Sequence, residues 1–118
     1  MFFGAAAPDL SKIYGSSFLV LTSDRDVQQA LEGYKNADGV DIAARFVPTD
    51  SPKADCFVGF HTASGYSETS CVTSVGLVVV GAIASKKGNS PVRDDSAMTV
   101  LKAAVSHLAS VRDPLAAN

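Results

Sequence analysis

Residues 56–84, CFVGFHTASGYSETSCVTSVGLVVVGAIA, contain both cysteines of the chain and its longest apolar run. If the two cysteines are placed opposite each other, the intervening residues pair in order: Cys56 with Cys71, Phe57 with Ser70, Val58 with Thr69, Gly59 with Glu68, Phe60 with Ser67 and His61 with Tyr66. Residues 62–65 then remain as a short loop that contains a glycine. Two β-rich runs with such a connection are typical of an antiparallel hairpin, which this stretch therefore predicts.

The second arm of the hairpin continues beyond Cys71 to Ser85. This run is longer than the five or six residues of an ordinary strand. A glycine inside a strand often marks a bulge or bend. We therefore expect Gly76 or Gly81 to interrupt the run.

Two further segments have strand patterns. Ser17–Thr22 (SFLVLT) is a compact apolar run with polar flanks, which favours a strand buried on both faces. In the second segment the apolar residues alternate with the others, which indicates one face on the core: Val40, Ile42, Ala44 and Phe46. Residues 1–16 are expected to be an irregular lead-in, because Gly15 and two serines interrupt any local pattern.

Two segments have the apolar spacing of amphipathic helices. The first extends over 24–35, where Ser23 and Asp26 resemble a capping box. The second follows possible caps at Asp94, Asp95 or Ser96 and ends near Arg112, before a tail of residues 113–118. Their apolar stripes are: Val27, Ala30, Leu31 and Tyr34 in the first helix, and Ala97, Val100, Leu101, Ala104, Val105, Leu108 and Val111 in the second.

These elements predict a single α+β domain over residues 17–112. Helices with one apolar face each, and strands that are mostly one-sided, are best covered by packing both helices on one face of the sheet. The prediction is a two-layer sandwich, with a mainly antiparallel sheet of four to five strands and two helices on one face.

Composition narrows the possible partners. The 118 residues are 47% hydrophobic and 19% charged, with a net charge of −2, as in a globular domain without the basic patches that bind nucleic acid. No apolar segment approaches the ~20 residues that span a bilayer. The opening MFFGAAAP lacks a basic region, and its apolar part is at the short limit of a signal core, so we interpret it as a processed end or as a short piece that packs elsewhere.

The two cysteines leave two alternatives open. The predicted register places them within disulfide distance, and such a bond indicates an oxidising compartment. Otherwise they are buried thiols of a cytoplasmic core. We favour the disulfide because register and spacing agree. No C-x-x-C pair or second ligand pair is present, so we expect neither a metal site nor a cofactor.

A candidate binding site lies at the loop end of the hairpin. The predicted pairing gathers His61, Ser64, Tyr66 and Glu68 there, and binding sites often lie at such loop ends. An ordinary polar turn with a cross-strand aromatic pair explains the same residues. His107 fits a surface position on the last helix, and the aspartates at the helix starts fit capping roles.

The last part of the chain resembles a known class of domains. A cysteine in a strand (Cys71), a valine run, a polar loop and the Ala-rich helix LKAAVSHLASV resemble the end of small extracytoplasmic sensor or lipoprotein domains of actinobacteria. The extracellular sensor domain of a mycobacterial Ser/Thr kinase is one example. The resemblance implies a non-enzymatic ligand-binding or partner-binding module outside the cytoplasmic membrane.

Three functional hypotheses follow. The first is a non-enzymatic ligand- or partner-binding domain of the cell envelope, secreted or lipoprotein-like. The second is a cytoplasmic adaptor or subunit that forms oligomers through its sheet or through the apolar arm at 75–84. The third is a small enzyme that uses His61, Tyr66 or His107.

Overall fold

The computed structural model describes residues 2–6, 12–36, 39–49 and 53–116, with side chains in 12–36, 39–49 and 53–110. Its elements in chain order are β1 (Phe2–Ala6), β2 (Lys12–Val20), α1 (Asp24–Lys35), β3 (Asp41–Phe46), β4 (Asp55–His61), β5 (Tyr66–Val75), β6 (Val78–Lys87) and α2 (Ser96–Ala116).

The strands form one antiparallel sheet in the order β1-β2-β6-β5-β4-β3. This confirms the α+β class and the mainly antiparallel sheet. The predicted hairpin is confirmed in every pair, from Cys56 opposite Cys71 to His61 opposite Tyr66. The run at 75–84 lies mostly in β6, between β2 and β5, so it offers no free edge for the self-assembly suggested above.

The sheet has six strands, one more than the upper limit predicted, because the start of the chain is not irregular. Within residues 1–16, β1 and the first part of β2 are strands, and Gly15 pairs with Ile83 instead of ending a segment. The predicted interruption of the long arm lies at Gly76, where a positive φ of 59° suits a tight turn into β6.

The two helices pack on opposite faces of the sheet, so the prediction of two helices on one face is wrong. Val79 packs with Val27 of α1, whereas its neighbour Val80 packs with Ala97 and Leu101 of α2. Successive residues of a strand point to opposite faces. We call these the α1 face and the α2 face. Since β6 is apolar on both faces, each face needs its own cover.

Strand β3 carries a second departure from the predicted pattern. Its register against β4 shifts between Ile42 and Ala44. Phe46 consequently lies opposite Cys56 on the α2 face, whereas Ile42 lies opposite Gly59 on the other. The predicted single apolar face of this strand is wrong, because a bulge reverses the alternation.

The predicted bounds of α1 are confirmed at both ends. Ser23 Oγ accepts a hydrogen bond of 3.2 Å from the Asp26 backbone N–H. At the other end Arg45 Nη2 donates to the Lys35 carbonyl at 2.7 Å. Because free carbonyls at a helix end need donors, Arg45 ties this end of α1 to β3.

Helix α2 begins as predicted and ends later than predicted. The Asp94 carboxylate accepts a hydrogen bond of 3.0 Å from the Ser96 N–H at its start. The helix continues past Arg112 to Ala116, so the predicted tail is wrong for residues 113–116, and residues 117–118 lie outside the described part.

A disulfide joins Cys56 to Cys71, as predicted. Their Cα atoms are 4.1 Å apart, and both residues are buried in the core beneath α2. The bond therefore fastens β4 to β5 on the α2 face.

Candidate functional site

A cleft of about 270 Å³ lies on the α1 face, beside the C-terminal end of α1. Its floor is one row of residues across four adjacent strands. Phe57 lies opposite Ser70, which lies opposite Ile83, which in turn lies opposite Gly15. Gly33 and Tyr34 of α1 form one wall, and Glu68 lies in the next row on the other side.

A glycine of β6 fixes where Tyr34 lies. A Cβ atom on Gly81 would be 3.1 Å from Tyr34 Cε1 and 2.9 Å from Ser17 Oγ, closer than ordinary contacts. Without that atom, the ring packs on the strand and its hydroxyl hydrogen-bonds Ser17 Oγ at 3.0 Å. Gly81 therefore allows the close approach that closes this end of the cleft.

Glu68 is the charged residue of the cleft. It is only 8% exposed, and its Oε1 accepts a hydrogen bond of 2.8 Å from His61 Nε2. Every fully buried side-chain nitrogen or oxygen atom of the described residues has a hydrogen-bond partner. The Oε2 atom of Glu68 has no such partner among these residues, so it is not fully buried. Oε2 is therefore the accessible part of this carboxylate. Neither lysine nor arginine lines the described cleft.

The structure brings together three of the four residues that the sequence suggested as a site. His61, Tyr66 and Glu68 lie on the α1 face, because Tyr66 is opposite His61 and Glu68 is two positions further along β5. Ser64 lies in the exposed turn and does not join them. Of the four, Glu68 alone lines the cleft, and His61 holds its carboxylate from outside.

Most of the cleft was missed by the sequence analysis. The lining residues that were not predicted as site residues are Gly15, Ser16, Ser17, Gly33, Tyr34, Phe57, Ser70, Gly81, Ala82 and Ile83. One of them carried a usable signal: Gly81 interrupts an apolar run, and a strand glycine often marks the close approach of another group.

The remaining candidate residues have structural roles or lie apart. Burial raises the pKa of the Asp94 carboxyl. The hydrogen bonds from Ser96 and the nearby Lys12 ammonium together lower this pKa by more than burial raises it, so the pKa lies below its ordinary value. This fits the capping role. His107 is exposed on α2, away from the cleft. The described residues contain no cluster of three or more metal-ligating side chains.

The cleft has the character of a small-molecule site. Such sites are concave and mostly apolar, with a few placed polar groups, and this one is slightly below their usual lower volume of about 300 Å³.

In the described part of the chain, neither helix has the length and apolar character that crossing a bilayer requires. The chain matches no protein-family model, no curated protein and no solved structure.

Proposed function

We propose that this protein is a non-enzymatic binding domain of the cell envelope, and that it holds a small ligand in the cleft beside α1. The observation that carries the proposal is the cleft itself, with its apolar floor and a single accessible carboxylate. The Cys56–Cys71 disulfide supports the location, since such bonds persist mainly in oxidising compartments.

A blocking substitution on α1 tests the cleft. A Cβ on Gly33 would meet nothing within 4 Å, so the position has room at the cleft wall for the start of the leucine side chain in Gly33→Leu. Glycine is also about 1 kcal/mol less favourable than alanine inside a helix, so the variant should fold at least as well. Gln28→Leu, at an exposed position of the same helix, is the matched control.

The assay is a set of chemically diverse fragments added to ¹⁵N-labelled protein. We expect hits that shift the amide signals of Gly15, Ser70 and Gly81, that disappear in Gly33→Leu and that persist in Gln28→Leu. A set without such hits, or hits that Gly33→Leu leaves intact, would contradict the proposal.

The proposed compartment has its own test. Protein isolated from its native compartment and denatured without reductant should contain no titratable thiol. Two titratable thiols per chain would remove the argument for an envelope location and favour the cytoplasmic adaptor.

A small enzyme is the second candidate, and the His61–Glu68 hydrogen bond favours it. A carboxylate that orients an imidazole is the arrangement of many general bases. His61 does not line the cleft, however, so the His61 side chain could act on a bound substrate only from the rim of the cleft. If His61→Ala left a measured turnover unchanged, His61 would be excluded as the general base.

A further inference from the structure

We propose that the ligand of the cleft carries an ammonium group, which pairs with Glu68, and a flat apolar body that lies on the floor. This inference depends on the proposed binding function and specifies the ligand class. Three features of the cleft support it: its charge, its free hydrogen-bond acceptors and its shape.

The charge of the cleft favours a cation. Glu68 is its only charged lining residue in the described part of the chain, and a buried carboxylate is stabilised by an opposite charge. Lys35 and Arg45 do not line the cleft but lie in an adjoining recess, which shares Tyr34, Phe57 and Ser70 with it. Lys35 pairs there with Glu32 and Asp55, and Arg45 donates to a helix carbonyl. A carboxylate or phosphate ligand would meet the Glu68 carboxylate, and no lysine or arginine lines the described cleft to offset the repulsion.

The free acceptors of the cleft also suit an ammonium. One Glu68 oxygen is engaged by His61, which leaves Oε2 for a ligand. Ser70 lies two positions further along β5 on the same face, and within the described residues its hydroxyl makes no hydrogen bond. An ammonium has three N–H donors and no acceptor, so both oxygens can serve one such group.

The shape of the floor favours a flat body. Gly15 adds no side chain to the floor, and Phe57 and Ile83 add apolar surface along the same side of the sheet. Tyr34 and Gly33 limit the space at the helix wall. A volume near 270 Å³ admits one ring with a short arm and excludes a large ligand.

Three probes of one shape and different charge test the inference: 2-phenylethylamine, 2-phenylethanol and 3-phenylpropionate, titrated by NMR at neutral pH. A hydrogen bond to a charged group strengthens binding by roughly 10- to 100-fold. We therefore expect the amine to bind at least about 10-fold more tightly than the alcohol, and the carboxylate to bind most weakly.

The matched variants are Glu68→Gln and Glu32→Gln, since Glu32 is the only other glutamate and lies on the exposed side of α1. Glu68→Gln should reduce amine affinity to that of the alcohol, and Glu32→Gln should leave it unchanged. Equal binding of amine and alcohol, blocked by Gly33→Leu, would overturn the charge preference but keep the cleft. If none of the three probes bound, this inference would fail, and the diverse fragment set would still decide the proposed function.

Discussion

Removal of the disulfide is the perturbation whose effect is best defined by the structure. Cys56 and Cys71 are 15 residues apart, so the bond closes a short loop in the unfolded chain. In the chain-entropy model a loop of this length contributes about 3 kcal/mol. Cys56→Ala/Cys71→Ala also removes two buried sulfur atoms, each leaving a cavity of about methyl size that costs roughly 1 kcal/mol. The double variant should therefore lose about 5 kcal/mol in free energy of unfolding.

Urea unfolding, followed by circular dichroism, measures this loss. The wild type with reductant should lose only the loop term of about 3 kcal/mol, because its sulfur atoms stay in the core. The double variant should lose more, and the difference between the two measures the cavities. With slopes of about 1–3 kcal/mol/M, the first loss alone lowers the midpoint by roughly 1–3 M. A reductant effect below about 1 kcal/mol would refute the assigned loop term.

Three further predictions follow from single residues. Leu101→Ala should lower the free energy of unfolding by about 2–5 kcal/mol, because Leu101 of α2 is fully buried against the sheet; Ser106→Ala, at an exposed position of the same helix, is the control in urea unfolding. Gly81→Ala should cost about 1–3 kcal/mol by overpacking against the tyrosine of α1, whereas Gly88→Ala, which meets nothing within 4 Å, should change stability little. Asp94→Asn should reduce stability at neutral pH, because a carboxylate whose pKa is lowered by folding stabilises the folded state at pH values above the ordinary aspartate pKa. This contribution is lost as the pH falls through the lowered pKa. Thermal unfolding from pH 7 to 2 should therefore show the two proteins converging in acid.

The parts of the fold that depend on local sequence could be predicted. The hairpin register follows from a short loop and two cysteines, and α1 follows from a cap and a regular apolar stripe. These signals lie within 20 residues of each other. Glu68 and His61 were found for the same reason, since the hairpin register places both on one face.

The other parts depend on contacts that local patterns do not record. An apolar strand such as β6 needs cover on both faces, but its sequence does not say which helix covers which face. The cleft floor joins Gly15 to Ile83, two residues far apart in the chain. Before the β2–β6 pairing is known, Gly15 looks like the end of a segment.

The disulfide and the cleft occupy opposite faces of the same strand pair, and this links the stability of the hairpin to the shape of the site. Phe57 and Ser70, which form part of the floor, directly adjoin Cys56 and Cys71 along the two strands. A slip of one residue between paired strands moves every side chain to the other face. The bond on the α2 face prevents that slip. It therefore holds the floor residues, and Glu68 beside them, in the only register in which the cleft exists.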